Sequence, residues 1–234
     1  MMLKKKTHVS PASVGGSRPA QLINLDRMRE VLGWRRSYWP QTTDFTCGPS
    51  CLLMAAKLMG VKRTFRQLDE YLIWRRANTL FMGEGQAGCS AAGLGLSALR
   101  MGLMARIVQK GVLELFSVEC GMRDEHVALM TALVIDDRKH FKQLGGQMVS
   151  RQPVARDVWE ACASGAAVLV LVRADDGVLH WVVAVGVRGQ DVYLLDPWAT
   201  DRDMPDEPMP QTLEALDTLM QHGKQGCILI VENG

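Results

Sequence analysis

Between residues 48 and 60 the chain is almost unbroken in apolar and small residues, with Pro49 at the start and Gly60 at the end. That is the pattern of a largely buried helix beginning at or just after Cys47. A second helix follows from Phe65, Leu68, Leu72 and Ile73, whose spacing of i, i+3, i+7 and i+8 keeps to the helical period. Residues 90–101 predict a third, entered through the glycine-rich stretch 83–88 and closed by Gly102. Residues 124–144 read as helix, although Leu133-Val134-Ile135 also has the composition of a strand, and a short helix is expected at 157–163. From there the pattern changes. Residues 166–172, 181–187, 192–195 and 227–231 are compact runs of β-branched and apolar side chains bounded by turn residues. Helices first and strands after them predict an α+β fold, with the helices packed on one side of an antiparallel sheet.

The first 20 residues are polar and rich in Ser, Gly and Pro. Residues 1–36 are therefore expected to form a flexible tail holding at most a short helix at 22–32, with folded structure beginning near Trp34 and a single domain over 37–234. No internal repeat, heptad or low-complexity tract is visible. At 234 residues the chain is long enough to bury a sizeable core.

Charge narrows the function. Twenty-seven Lys and Arg against 25 Asp and Glu leave a net charge of +2, which creates no broad field to draw nucleic acid or a membrane surface. Lys4-Lys5-Lys6 is too short a run to change that. The longest apolar runs fall far short of the roughly 20 residues a membrane helix needs, so no span is expected. The basic N-terminus is not followed by the apolar region of a signal peptide. Six cysteines in 234 residues are too sparse for a disulfide scaffold and show no zinc spacing. Reduced thiols in a cytoplasmic protein fit better, with neither metal nor cofactor required.

Two stretches carry candidate chemistry. In the first, Gln41-Thr42-Thr43-Asp44-Phe45-Thr46-Cys47-Gly48-Pro49, a cysteine stands at a helix N-terminus, where unpaired backbone N–H groups and the positive end of the dipole favour a thiolate nucleophile. Gln41, six residues upstream, has an amide able to donate to the oxyanion of a tetrahedral intermediate. In the second, two apolar runs meet at Arg188-Gly189-Gln190, the pattern of a β-hairpin. Folding it there is expected to set His180 and Asp196 almost opposite each other, where Cβ atoms are about 5 Å apart. The carboxylate would then orient the imidazole while the other ring nitrogen serves the sulfur. Together these residues make a Cys–His–Asp triad with a Gln oxyanion donor.

The order Gln, Cys, His, Asp, the Cys-Gly-Pro helix start and the 16-residue step from His180 to Asp196 resemble the bacteriocin-processing, double-glycine leader peptidases. Asp44, three residues before Cys47, and the stretch Gly88-Cys89-Ser90-Ala91-Ala92-Gly93 bring the likeness closer to their stand-alone bacterial relatives. The resemblance covers roughly residues 39–197 and implies a papain-like cysteine peptidase fold. It also implies Cys47 as nucleophile, Gln41 as oxyanion donor, His180 as general base and acid, and Asp196 as the residue that orients it. The implied partner is a peptide or protein substrate, with a Gly-Gly motif before the cleaved bond as the family's preference. Two features depart from the family: there are no transporter helices or ATPase, and residues 103–160 are longer than the leader-peptidase pattern.

Other residues have plainer readings. Cys51, one turn after Cys47, is expected to be a core thiol in preference to a redox partner, and Cys89 to pack. His126, His140, Asp136 and Asp137 match no metal site and read as a solvated helix face. Asp201, Asp203, Asp206 and Glu207 read as loop, the alternative being an acidic rim to a cleft. Gly15-Gly16 and Gly145-Gly146 raise the idea of self-processing, but 22 glycines make pairs by chance. The functional expectation is a cytoplasmic cysteine peptidase or amide-bond hydrolase. The alternatives are an acyltransferase or peptide-modifying enzyme with the same acyl-enzyme, and a non-catalytic peptide-binding domain.

Overall fold

The computed structural model describes residues 34–79, 87–111, 123–174, 178–198, 208–220 and 226–234. The expected tail helix at 22–32, the glycine-rich entry at 83–86, Gly15-Gly16 and the acidic loop at 201–207 lie outside them. The elements in chain order are α1 (Trp34–Ser37), α2 (Cys47–Leu58), α3 (Gln67–Ala77), α4 (Ala91–Arg100), β1 (Leu103–Gln109), α5 (Asp124–Gln143) and β2 (Gln147–Val149). They continue with α6 (Ala155–Ala163), β3 (Ala167–Arg173), β4 (Leu179–Arg188), β5 (Asp191–Leu195), β6 (Met209–Gln211), α7 (Leu213–Met220) and β7 (Cys227–Asn233).

The strands form one seven-stranded sheet in the order β2-β1-β7-β3-β4-β5-β6. Every neighbouring pair is antiparallel except β1 and β2. The α+β architecture is as expected, with three differences: β1 and β2 interrupt the run of helices, they pair in parallel, and helices cover both faces of the sheet. Residues of α2, α3 and α4 and Phe141 of α5 pack with Ile107, Leu169, Leu171, Trp181, Val183 and Leu229 on one side. On the other, Val158, Ala161 and Cys162 of α6 and Leu216 and Met220 of α7 pack with Val168, Val170, Val182, Leu194 and Ile228. This is why β3 reads as a continuous apolar run: a strand covered on both faces has no polar side to present.

The boundaries of α2, α4, α5 and α6 follow the sequence pattern closely. Ser90 caps α4, its hydroxyl accepting from Gly93 N–H at 3.1 Å. Leu133-Val134-Ile135 is helical, with Val134 turned inward and its two neighbours exposed. In α3 the inward face differs from the apolar one. Leu68 is 54% exposed, while Asp69, Glu70, Ile73 and Ala77 are buried. Helices α3 and α4 approach very closely at Gly93, where a Cβ would lie 2.5 Å from the Ala77 Cα. Gly93→Ala is therefore expected to destabilise the fold by about 1–3 kcal/mol, despite alanine's better helix propensity, because backbone atoms cannot move aside as a side chain can. Urea unfolding of the two proteins measures it.

Candidate active site

Cys47 is the first residue of α2 and is buried to 6% exposure. Two contacts explain why a glycine follows it. A Cβ at Gly48 would lie 3.0 Å from Leu94 Cδ1 and 3.1 Å from Trp181 Cδ1, so the start of the helix sits directly against the core beneath β4. The Trp181 indole N–H donates to the Cys89 carbonyl at 3.1 Å, and Cys51 Sγ–H donates to the Trp181 carbonyl at 3.2 Å. Trp181 thus locks α2 and the entry to α4 onto the strand that begins with Leu179-His180.

His180 Nε2–H donates to Asp196 Oδ1 at 2.7 Å, and the Cys47 sulfur is within hydrogen-bonding reach of the same ring. With Nε2 taken by the carboxylate, Nδ1 is the nitrogen that faces the sulfur. The ladder brings the pair together differently from the sequence expectation. Near the turn, where Gly189 has φ +62°, Arg188 pairs with Asp191; after a bulge between Ala184 and Gly186, Val183 pairs with Leu195. Strand β5 ends at Leu195, so Asp196 stands just beyond the ladder, where it meets the His180 ring.

Asp196 Oδ1 also accepts the Trp198 backbone N–H at 2.8 Å, and the Trp198 ring stands edge-on to the His180 ring at 6.0 Å. These contacts fix the carboxylate and one wall of the imidazole. Burial of His180, only 8% exposed, works against its charged form. The hydrogen bonds to Asp196 and Cys47 and their charges overcome that and raise its pKa to about 10.

Gln41 lies on the loop between α1 and α2. Its backbone N–H donates to the Pro197 carbonyl at 2.8 Å, and the Tyr38 hydroxyl donates to the Asp196 carbonyl at 2.8 Å, so the loop is pinned beside the turn that carries the acid. One N–H of the Gln41 amide donates to the Thr43 carbonyl at 2.9 Å, leaving the other available, while Oε1 is buried without a partner. Cys47, His180 and Asp196 thus converge, and Gln41 is tied to the same turn.

The remaining candidates separate from this cluster. Cys51 and Cys89 have thiol pKa values pushed well up by burial, then by the nearby Cys47, which fits packing and not reactivity. Cys227 is likewise pushed up to about 12 by burial. His140 pairs with Asp136 at 3.3 Å on an exposed face, as expected, but His126 is buried on the inner side of α5 and contacts Arg123, so it does not belong to that face. Among the described residues no three His, Cys, Asp or Glu side chains are grouped to hold a metal ion. Gly145, at φ +93°, ends α5, and a Cβ on Gly146 would lie 2.4 Å from the Phe141 ring, so this glycine pair has a structural reason. The residue that sequence reasoning missed is Glu70, whose buried carboxylate accepts three hydrogen bonds from the loop bearing Gln41. Hydrophobic periodicity marks an inner face by its apolar positions alone, so an inward-facing carboxylate leaves no signal in it.

A family model described as Peptidase C39-like matches residues 36–231, which include the whole cluster. The chain belongs to the Peptidase C39-like family. Two solved structures are similar over most of its length. The peptidase domain of Streptococcus ComA, a bi-functional ABC transporter involved in quorum sensing, is 14% identical over 84% of this chain and 97% of that one, with a TM-score of 0.43. A putative C39-like peptidase from Bacillus anthracis is 12% identical over 84% of this chain and 94% of its own, with a TM-score of 0.39. No curated protein matches the chain. Among the described residues no helix of this C39-like protein is long and apolar enough to cross a membrane.

Proposed function

We propose that the protein is a cysteine peptidase or amide-bond hydrolase acting on a peptide substrate. The observation that supports this best is the His180–Asp196 hydrogen bond of 2.7 Å with the Cys47 sulfur in reach of the same ring at the start of a helix. In this reading His180 takes the Cys47 thiol proton, Sγ attacks the scissile carbonyl carbon as the thiolate, and the carbonyl electron pair moves onto oxygen. The free N–H of the Gln41 amide and the backbone N–H of Cys47 donate to that oxyanion. When it collapses, the C–N bond breaks and His180 passes a proton to the departing amine. His180 then takes a proton from water as the water attacks the thioester, which releases the acid product and restores the thiol.

The substrate is a peptide or protein segment, with paired glycines before the scissile bond as the preference the family resemblance favours. The compartment is the cytoplasm, where thiols stay reduced. Competitive alkylation tests the reading at its root. With limiting iodoacetamide near neutral pH and peptide mapping by mass spectrometry, Cys47 is expected to be modified well before the other five cysteines. Equal labelling of all six, or faster labelling of another, overturns the assignment.

A further inference from the structure

Glu70 stands in the first turn of α3 and is completely buried. All three of its hydrogen-bond donors come from one short loop. Trp39 Nε1–H donates to Oε2 at 2.9 Å, and the Thr42 N–H and hydroxyl donate to Oε1 at 2.9 and 3.0 Å. A buried carboxylate needs such donors to replace its hydration, and the positive end of a helix dipole adds to them. Residues 39 and 42 thus face Glu70, while residues 38 and 41 face the Asp196-Pro197 turn. Gln41 lies between the two sets of anchors.

We propose that Glu70 is a positioning residue for oxyanion stabilisation: by gathering Trp39 and Thr42 it fixes the loop so that the Gln41 amide is presented at the Cys47 sulfur. This rests on the reading of Cys47 as nucleophile and Gln41 as oxyanion donor. The carboxylate is chemically specific for the task, because both of its oxygens accept. Glutamine has the same shape, but its NH2 group must face either the Trp39 N–H or the two Thr42 donors, donor against donor. A residue needed only to fill the core would serve better as an apolar one.

Two reagents separate this role from a general structural one. Acetylation of Cys47 by p-nitrophenyl acetate passes through a tetrahedral oxyanion; alkylation by iodoacetamide is a displacement at saturated carbon and forms none. In the full-length protein, Glu70→Gln is expected to slow Cys47 acetylation about tenfold or more, as a misplaced donor should. The same variant is expected to leave the alkylation rate within about twofold, since the sulfur and His180 are untouched. In a Gln41→Ala background the further effect of Glu70→Gln on acetylation should vanish, because both changes remove one interaction. Should Glu70→Gln fail to fold, Trp39→Phe removes a single donor while keeping an aromatic ring, and is expected to give the same split at smaller size. Equal losses in both rates, unchanged acetylation, or full additivity with Gln41→Ala overturns the proposal while the triad assignment stands. A wild-type Cys47 that is not acetylated at all overturns the triad assignment, and the role of Glu70 falls with it.

Discussion

Cys47→Ala is expected to lower the rate of acyl transfer to water, measured with p-nitrophenyl acetate or a cleaved peptide, by about 10⁴-fold or more. No other group can take the place of the sulfur. Among the described cysteines, Cys51, Cys89 and Cys227 are held as neutral thiols by burial, which pushes their thiol pKa values up. The fold should survive, because the change removes one small atom at the first position of α2 and leaves Gly48 against Leu94 and Trp181 undisturbed. The contrast lies one turn further along. Cys51→Ala deletes a fully buried sulfur and its bond to the Trp181 carbonyl, so it should cost stability while the folded fraction keeps its activity. If Cys47→Ala keeps appreciable turnover, or if Cys51→Ala removes it at full folding, the nucleophile has been misidentified.

The opposite behaviour expected of two cysteines on one helix turn reflects what the sequence carries and what it does not. Cys47 was legible as a candidate because Gln41, His180 and Asp196 stand at the spacings of the family resemblance, and the fold brings Cys47, His180 and Asp196 together. The strands of the central sheet were legible where both faces are covered, as in β3, since burial on two sides leaves an uninterrupted apolar run. Strand β1 was not, because Arg106 interrupts its apolar residues. The three-residue strands β2 and β6 are too short to show a period at all. Helix α7 was not predicted although Leu213, Leu216 and Met220 stand at i, i+3 and i+7, because two turns are too short a stretch for the period to stand out.

The bulge between Ala184 and Gly186 was equally hidden. The sequence predicted a hairpin and a His–Asp pair but no register shift in the ladder, because one extra residue in a strand leaves no local pattern. Glu70 shows the limit of hydrophobic periodicity most clearly. It sits beside Asp69, whose carboxylate accepts the Arg66 N–H at 2.8 Å as a helix cap, so two neighbouring acids that look alike in sequence have unrelated tasks.

Asp196→Asn should move the basic limb of the rate–pH profile down by about 1–3 pH units without abolishing activity. The argument starts from the forces on His180. Burial lowers its pKa; the hydrogen bond to Asp196, the hydrogen bond to Cys47 and the charges of both raise it to about 10. Asparagine keeps an oxygen able to accept from His180 Nε2–H and from the Trp198 N–H, so the ring stays oriented. What it removes is the negative charge, and with it part of the reason that His180 holds its proton. His180 then loses the proton at lower pH, and with it the ability to protonate the leaving amine. Asp196→Ala removes the acceptor as well, frees the ring and leaves the Trp198 N–H without its partner. Its rate should fall about 10²–10⁴-fold across the whole pH range. Stability offers an independent reading of the same charge. A histidine whose pKa rises from the ordinary value near 6.5 to about 10 on folding stabilises the protein fully below pH 6.5, and that contribution is lost between 6.5 and 10. Wild-type urea midpoints should therefore decline through that window, and those of Asp196→Asn should decline less. Parallel midpoints in the two proteins, with the basic limb of activity unmoved, would show that Asp196 does not set the protonation of His180.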